Sequence, residues 1–216
     1  MTQTKKKILL VSDYVTVFSG GIEMYMSNVA KLIGRDGFQA QYFGITRSAQ
    51  LLKKARSYLL PLTWFNIISA LWLIIRCYKR KPDVIRFHSL VRYHGRLPVR
   101  ISGFVFAQKM MMYHDLGYFH PFPHLVTQED QVLSFGLVNF VRMGMTAKKP
   151  QTNLSAAMVI TAVVLKYCSL YLLRLSLIGV VDKHLVPSEF MVKYLEWWGV
   201  NKSKIQVLPH FIVNGL

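Results

Sequence analysis

The chain has 216 residues, which is enough for one well-packed domain or two small ones. Apolar residues make up 52% of it and charged residues 17%, so an intrinsically disordered chain is excluded. The 27 Lys and Arg residues outnumber the 10 Asp and Glu residues, giving a formal net charge of +17. This balance predicts a polyanionic partner, either nucleic acid or an anionic lipid surface.

Apolar runs of strand length alternate with segments of helical periodicity along the chain. The predicted strands cover 7–12, 40–45, 83–88, 109–114, 183–187 and 205–208. The predicted helices cover 22–34, 66–79, 96–106, 156–178 and 189–198, with Gly34 and Gly37 ending the first. Between the fourth strand and the fourth helix, 116–153 is rich in Pro, His and Gly and predicts a long functional loop. The alternation predicts an α/β fold, a Rossmann-like, doubly wound and mainly parallel sheet with helices on both faces.

Residues 58–75 form an apolar segment of 18 residues without a charge, which reaches the length of a membrane-spanning helix. The segment contains Pro61 and Asn66 and leads directly into the strand predicted at Asp83. A buried helix, or one that lies at a membrane interface, is therefore favoured over a spanning one. The second apolar stretch, 156–181, is interrupted by Lys166 and Arg174 and is interpreted in the same way.

Basic residues bracket the apolar segment, at 53–56 before it and at 76–81 after it. This arrangement suits a headgroup layer, in which Lys and Arg meet anionic phosphates while apolar side chains enter the acyl boundary. The sequence contains no RNA-binding aromatic signature, zinc-finger spacing or recognition-helix pattern. An anionic membrane surface is therefore favoured as the partner, and nucleic acid is not expected.

The cysteines and the amino terminus indicate the compartment. Cys77 and Cys168 lie far apart in apolar contexts, which argues against a secreted disulfide framework and for a reducing cytosol. The apolar run 8–12 is too short for the hydrophobic region of a signal peptide and has no small-residue cleavage site after it.

Two glycines mark the start of the first helix, after the first strand. Gly20 and Gly21 would let the backbone approach a ligand closely, and the free amides of a helix start favour an anion such as a diphosphate. A simple tight turn is the alternative interpretation. The loop matches neither the dinucleotide fingerprint nor the P-loop pattern, so an NAD-dependent oxidoreductase and a P-loop nucleotidase are disfavoured.

Histidines stand at the ends of two predicted strands. His88 ends one strand, and His114, followed by Asp115, ends the next. A histidine at the carboxyl end of a parallel strand can donate a hydrogen bond to a sugar hydroxyl or offset developing charge, although a structural role is the alternative. The spacing of His114, His120 and His124 is too open for a typical zinc site, and no metal is expected. A nucleophile-elbow hydrolase motif is absent from the sequence.

A series of short motifs runs along nearly the whole chain: Lys7–Ser12, Gly20–Glu23, Pro82–His88, His114–Asp115, Val181–Asp182 with Pro187–Phe190, and Lys204–Pro209. In order and spacing they resemble the amino-terminal, acceptor-side domain of glycosyltransferase family 4. Members of that family have the GT-B fold, in which two Rossmann-like domains face a cleft. They transfer a hexose from a nucleotide sugar with retention of configuration, without a metal or another cofactor.

The resemblance implies roles for particular residues. Gly20 and Gly21 would border the donor diphosphate. His114 would lie against the donor sugar near the reacting carbon, with Asp115 in support. The other expected cleft residues are Glu23, His88, Ser188 and Glu189.

The resemblance also implies a domain boundary. Residues 1–208 would form the Rossmann-like domain, and 209–216 would begin the linker to a donor domain that is absent from this sequence. We therefore expect a separate polypeptide to supply the donor domain, or a truncated product, and no turnover by this chain alone.

The expected function is hexosyl transfer from a nucleotide sugar to a lipid-linked or membrane-proximal glycan. The chain would be cytoplasmic and peripheral on the inner face of the cell membrane. The alternative is a non-catalytic, peripheral membrane-binding domain derived from a truncated glycosyltransferase.

Overall fold

The computed structural model describes residues 5–14, 21–45, 64–91, 94–114, 116–119, 136–149 and 151–209. The strands are β1 (Lys7–Tyr14), β2 (Gln39–Ile45), β3 (Val84–Phe87), β4 (Gln108–Met112), β5 (Lys183–Val186) and β6 (Ile205–Val207). The α-helices are α1 (Gly21–Arg35), α2 (Trp64–Arg80), α3 (Arg96–Ser102), α4 (Leu137–Lys148), α5 (Asn153–Val180) and α6 (Glu189–Trp198).

All neighbouring strands in the sheet are parallel, and their order is β2-β1-β3-β4-β5-β6. From β1 the chain moves outward to β2 and then returns past β1 to β3, after which the strands follow in sequence. The order therefore reverses between β1 and β3, which makes this the topological switch point. The predicted α/β, Rossmann-like parallel fold is confirmed.

Helices cover both faces of the sheet because successive side chains of each strand point to opposite sides. On one face, Leu9, Ile85 and Met111 join the main core together with residues of α2 to α6. On the other face, Met112 and Leu185 pack against Tyr25 and Val29 of α1. The larger core thus lies on the face opposite α1.

The structure differs from the predicted irregular stretch over 116–153, because residues Leu137–Lys148 form α4. This helix packs along α5, with the ring of Phe140 against that of Tyr167 at 5.4 Å between centroids. The backbone of Gly144 packs directly against the side chain of Val163, where a Cβ at position 144 would collide. Contact with α5 explains a helix in a segment whose flanks favour turns.

The first helix also departs from its predicted end. The helix α1 continues through Gly34 to Arg35, and the turn that follows uses Gly37, whose φ of 82° lies in the left-handed region that favours glycine. Only the second of the two predicted helix-ending glycines therefore has that role.

The two long apolar segments are helical and take part in the core. In α2, Ala70, Leu73 and Cys77 are buried, while residues 58–63 of the predicted segment lie outside the described residues. The 28 residues of α5 are long and apolar enough to cross a membrane, by length and composition. Leu170, Leu173 and Leu177 of the same helix are buried in the core.

Candidate functional site at the carboxyl edge of the sheet

The carboxyl ends of β1, β3 and β4 bring polar residues to the switch point, where open α/β sheets bind ligands. The backbone pairing continues past the regular strands. The amide of His88 donates to the carbonyl of Val11 at 2.8 Å, and the amide of Asp13 donates to the carbonyl of Ser89 at 2.6 Å. Residues 88 and 89 are therefore held against the end of β1.

His88 and His114, the histidine pair, are joined by a hydrogen bond of 2.8 Å between Nδ1 of His88 and Nε2 of His114. The rings stack with centroids 5.1 Å apart and an interplanar angle of 22°. His88 is fully buried and His114 is half-buried. Since one ring must donate and the other accept, a single proton lies between the two nitrogens. The geometry leaves His114 as the member of the pair that can meet a ligand, with its ring oriented by His88.

Tyr25 and Arg86 form the layer next to the histidine pair. The ring of Tyr25 meets His114 edge-on at 5.0 Å between centroids, and Nη2 of Arg86 donates to the Tyr25 hydroxyl at 3.1 Å. The Arg86 guanidinium carbon lies 5.8 Å from the centroid of the Tyr25 ring. No carboxylate forms a salt bridge with Arg86 within the described ranges. Its positive charge therefore favours an anionic ligand at this edge.

Asp13 joins the end of β1 to the segment after β3. Its Oδ2 accepts a hydrogen bond from the Ser89 hydroxyl at 3.1 Å, and its Oδ1 accepts one from the backbone amide of His94 at 3.2 Å. The carboxylate is fully buried, where such bonds compensate for its lost hydration. Asp13 thus fixes the backbone that carries His88.

His94 is a structural histidine in a defined tautomer. Its Nε2 lies 2.9 Å from the carbonyl oxygen of Ser12, which can only accept, so Nε2 carries the proton. Its Nδ1 then accepts from the Ser69 hydroxyl of α2 at 2.5 Å. Burial lowers the pKa of His94, opposed in part by the Asp13 charge and the Ser12 carbonyl. The neutral ring therefore ties α2 to β1.

Tyr118 holds the segment after β3 that contains His88 and Leu90. Its hydroxyl donates to the carbonyl of His88 at 2.8 Å and accepts from the amide of Leu90 at 2.9 Å. The residue is buried, so the phenol gives each of these two backbone groups a hydrogen bond away from water. Tyr118 thus fixes the backbone on both sides of Ser89.

A third buried histidine, His184, lies on β5. The Tyr113 hydroxyl and Nδ1 of His184 are 3.0 Å apart, and both residues are fully buried. Burial, and secondarily the charge of Lys204, lowers the pKa of His184 to about 4, and burial raises the pKa of Tyr113. A neutral histidine accepting from a neutral phenol is a structural contact between β4 and β5.

The glycine motif is only partly described. Gly21 is the first residue of α1 and is exposed, and a Cβ added there would meet nothing within 4 Å. Glu23 is buried in the first turn of α1, where the helix dipole stabilises a negative charge. Gly20 and Asp115, also predicted for the site, lie outside the described residues.

Ser188 and Glu189 follow β5, which neighbours the strand of His114, so they lie at the same edge of the sheet. Ser188 takes the N-cap position of α6 without a side-chain cap bond, and Glu189 is the first residue of that helix. Both are exposed. Neither side chain makes a hydrogen bond or an ion pair with the histidine pair in the described part of the chain.

The described residues contain no group of three or more His, Cys, Asp or Glu side chains placed to hold a metal ion. His120 and His124, considered with His114 as metal ligands, lie outside the described residues.

Sequence reasoning missed most of the supporting residues: Asp13, Ser69, Tyr25, Arg86, His94 and Tyr118. Two of them left a signal in the sequence, since Asp13 ends an apolar strand and Arg86 interrupts one. The other contacts join residues that are between 25 and 82 positions apart, such as Ser69 with His94 and His94 with Ser12. Only the order of the strands brings them together.

The sequence matches no protein-family model and no curated protein.

Proposed function

We propose that this chain is the acceptor-side half of a retaining glycosyltransferase, which transfers a hexose from a nucleotide sugar to a lipid-linked or membrane-proximal glycan. The observation that carries the proposal is the histidine pair at the switch point, where His114 is held by a bond of 2.8 Å to His88. Together with the resemblance of the ordered motifs to glycosyltransferase family 4, this favours transfer over a purely structural role.

In the proposed reaction His114 donates or accepts a hydrogen bond at a hydroxyl of the donor sugar and stabilises charge that develops near the reacting carbon. His88 acts as a positioning residue, since it is buried and orients the His114 ring. The resemblance gives Asp115 the role of supporting His114. Glu23, Ser188 and Glu189 line the rest of the cleft.

The leaving group is a nucleoside diphosphate, which needs positive potential where the bond breaks. Gly21 at the start of α1, and Gly20 before it in the sequence, would supply backbone amides, and the helix dipole would add to their effect. Arg86, which lacks a salt-bridge partner among the described residues, contributes a full positive charge behind Tyr25. No metal or other cofactor is part of the proposal.

We propose that the sheet edge forms one wall of a cleft and that a donor-binding domain forms the other. The proposed location is the cytoplasmic side of the cell membrane, with the chain attached peripherally. There it would reach a lipid-linked acceptor.

The test uses membranes from cells that produce the full chain, because these supply the acceptor and any second polypeptide. Labelled UDP- and GDP-hexoses are added, and the label in lipid-extractable glycan is counted. We expect His114→Ala to lower transfer at least about tenfold, and His114→Gln, which keeps a hydrogen-bonding group, to lower it less. Tyr171→Phe, on the exposed side of α5, is the control. Unchanged transfer in His114→Ala would contradict the proposal.

A second candidate function is a non-catalytic, peripheral membrane-binding domain. It is favoured by the apolar side chains that α2 exposes, such as Trp72 and Tyr78. This function predicts that the wild-type chain and His114→Ala bind vesicles equally and that neither supports transfer. The labelled-sugar assay, run beside a vesicle-binding assay, separates the two.

A further inference from the structure

The helix α2 is apolar on both of its sides. Its inner side is buried in the core through Ala70, Leu73 and Cys77. Its outer side exposes a second apolar stripe, from 39% at Ile67 to 69% at Tyr78. The stripe consists of Ile67, Ile68, Leu71, Trp72, Ile75 and Tyr78. Helical spacing places these residues on one face, so an ordered part of the molecule keeps a continuous apolar strip in contact with water.

The layer beside α2 extends this apolar character. The helix α3 packs against both α2 and α5, and the turn after α3 exposes Phe104 at 75% and Phe106 completely. The helix α5 exposes Tyr171 and Leu175. We call the exposed stripe of α2, together with Phe104 and Phe106, the outer helical surface.

The helices that form this layer contain no acidic residue. Neither Asp nor Glu occurs in α2, α3, α4 or α5, whereas each of the four contains Lys or Arg. In α2 the basic residues Lys79 and Arg80 are exposed at the end of the apolar stripe, and Lys81 follows them. The outer helical surface is therefore apolar with a basic border.

The partner must match both the apolar stripe and its basic border. A nucleic acid would pair with the basic residues but leave Ile68 and Trp72 in contact with polar groups. A second copy of the chain would cover the apolar stripe but place like charges together, which opposes association. An anionic bilayer satisfies both, since acyl chains receive the apolar side chains and headgroup phosphates receive the basic ones.

We infer that the outer helical surface is the docking site of this chain on an anionic lipid bilayer, with α2 lying in the plane of the interface. Trp72 and Tyr78 lie at headgroup level, which aromatic residues with one polar end prefer. The 17 residues of α2 extend over roughly 26 Å, and the inner side of the helix stays in the protein core. This inference is independent of the transfer reaction.

The docking surface is linked to the carboxyl edge of the sheet. Ser69 of α2 contacts His94, and His94 contacts the end of β1 through Ser12. The amino-terminal turns of α2 therefore lie at the same edge of the sheet as His88 and His114. A chain docked by α2 would hold the candidate site close to the membrane surface.

The test is cosedimentation of the full chain with vesicles of phosphatidylcholine, alone or mixed with phosphatidylglycerol. We expect the double variant Ile68→Gln/Trp72→Gln to lower the partition coefficient on mixed vesicles at least about tenfold, because two exposed apolar anchors are lost. Met24→Gln, an equally exposed apolar residue on α1, is the matched control. Equal losses in control and variant, or no loss in either, would overturn the inference.

The basic border is tested separately. Lys79→Glu/Arg80→Glu is expected to lower partitioning onto mixed vesicles at least about tenfold and to leave the weak binding to neutral vesicles unchanged. Lys31→Glu, exposed on α1, is the control. Unfolding midpoints of these variants are expected to match the wild type, since each altered side chain faces water.

Two further results would count against the inference. The first is a concentration-dependent dimer, measured by sedimentation velocity without lipid, that Trp72→Gln abolishes, because it would assign the surface to a second copy. The second is extraction of the chain from membranes by detergent alone and not by alkaline carbonate. That result would place a helix such as α5 across the bilayer.

Discussion

His88 and His114 stand at the ends of neighbouring strands and share one proton across 2.8 Å between Nδ1 and Nε2. The bond joins residues 26 positions apart and couples a buried side chain to one that is partly exposed at the carboxyl edge of the sheet. A ring in contact with solvent is thereby held in one orientation, as a group that meets a substrate needs to be.

The coupling of the pair is measurable by a double-mutant cycle. His88→Ala and His114→Ala each remove the same hydrogen bond, so the double variant loses it only once. We expect the free energies of unfolding, measured in urea, to depart from additivity by about 0.5–1.5 kcal/mol. Additive losses would show that the bond does not couple the two side chains in solution.

Asp13 is expected to be essential for stability at the carboxyl edge. Asp13→Ala removes the acceptor of the Ser89 hydroxyl and of the His94 amide, both of which would then be unsatisfied. We expect a loss of about 2–4 kcal/mol in the free energy of unfolding. Asp13→Asn, which keeps one acceptor oxygen, is expected to lose less. Equal stability of the alanine variant and the wild type would contradict the assigned contacts.

Removal of the Tyr118 hydroxyl is expected to weaken the segment that carries His88. Tyr118→Phe leaves the carbonyl of His88 and the amide of Leu90 buried without the phenol. We expect a loss of about 1–3 kcal/mol, detected as a lower urea midpoint. Tyr171→Phe changes the same group at a residue that is 40% exposed, and its midpoint is expected to stay at the wild-type value.

Stability is expected to fall as the pH is lowered. Burial lowers the pKa of His94, and it lowers the pKa of His184 to about 4. Both histidines therefore have a higher pKa in the unfolded chain than in the folded one. As the pH falls, the unfolded chain binds these protons first and is stabilised relative to the folded chain. Between about pH 7 and about pH 5 His184 is therefore expected to remove roughly 2 kcal/mol of the free energy of unfolding, and the lowered pKa of His94 acts in the same direction.

The variant His184→Asn tests this pH dependence, because it keeps an acceptor for Tyr113 and removes one titrating group. Urea unfolding at several pH values between those limits is expected to show a shallower dependence of stability on pH than the wild type has. A slope equal to that of the wild type would mean that His184 does not titrate on unfolding.

The contact between α4 and α5 is expected to require glycine at position 144. A Cβ at position 144 would collide with the side chain of Val163, and Gly144→Ala is expected to cost about 1–3 kcal/mol. Gly179 is also in a helix, but a Cβ there would meet nothing within 4 Å, so Gly179→Ala is expected to stabilise by up to about 1 kcal/mol. Thermal unfolding of both variants, and of Gly144→Ala/Val163→Ala as a rescue, checks the contact.

The sequence alone was sufficient for most of the architecture, because strand and helix periodicity are properties of a short stretch of backbone. The helix predicted over 189–198 has the bounds Glu189–Trp198 in the structure, and the strand predicted over 183–187 differs by one residue. The helix α4 was not predicted, since its packing against Val163 of another helix is a distant contact that leaves no local pattern.

The candidate site, like the fold, was predicted only in part. His88 and His114 were predicted because each follows a recognisable strand, and parallel strands end at a common edge. Their mutual hydrogen bond, and the support from Asp13, His94 and Tyr118, depend on which strands are neighbours. The sequence determined that β1, β3 and β4 exist, but only the tertiary structure placed β3 between the other two. Long-range hydrogen bonds form where the chain crosses back, and no local periodicity encodes that crossing.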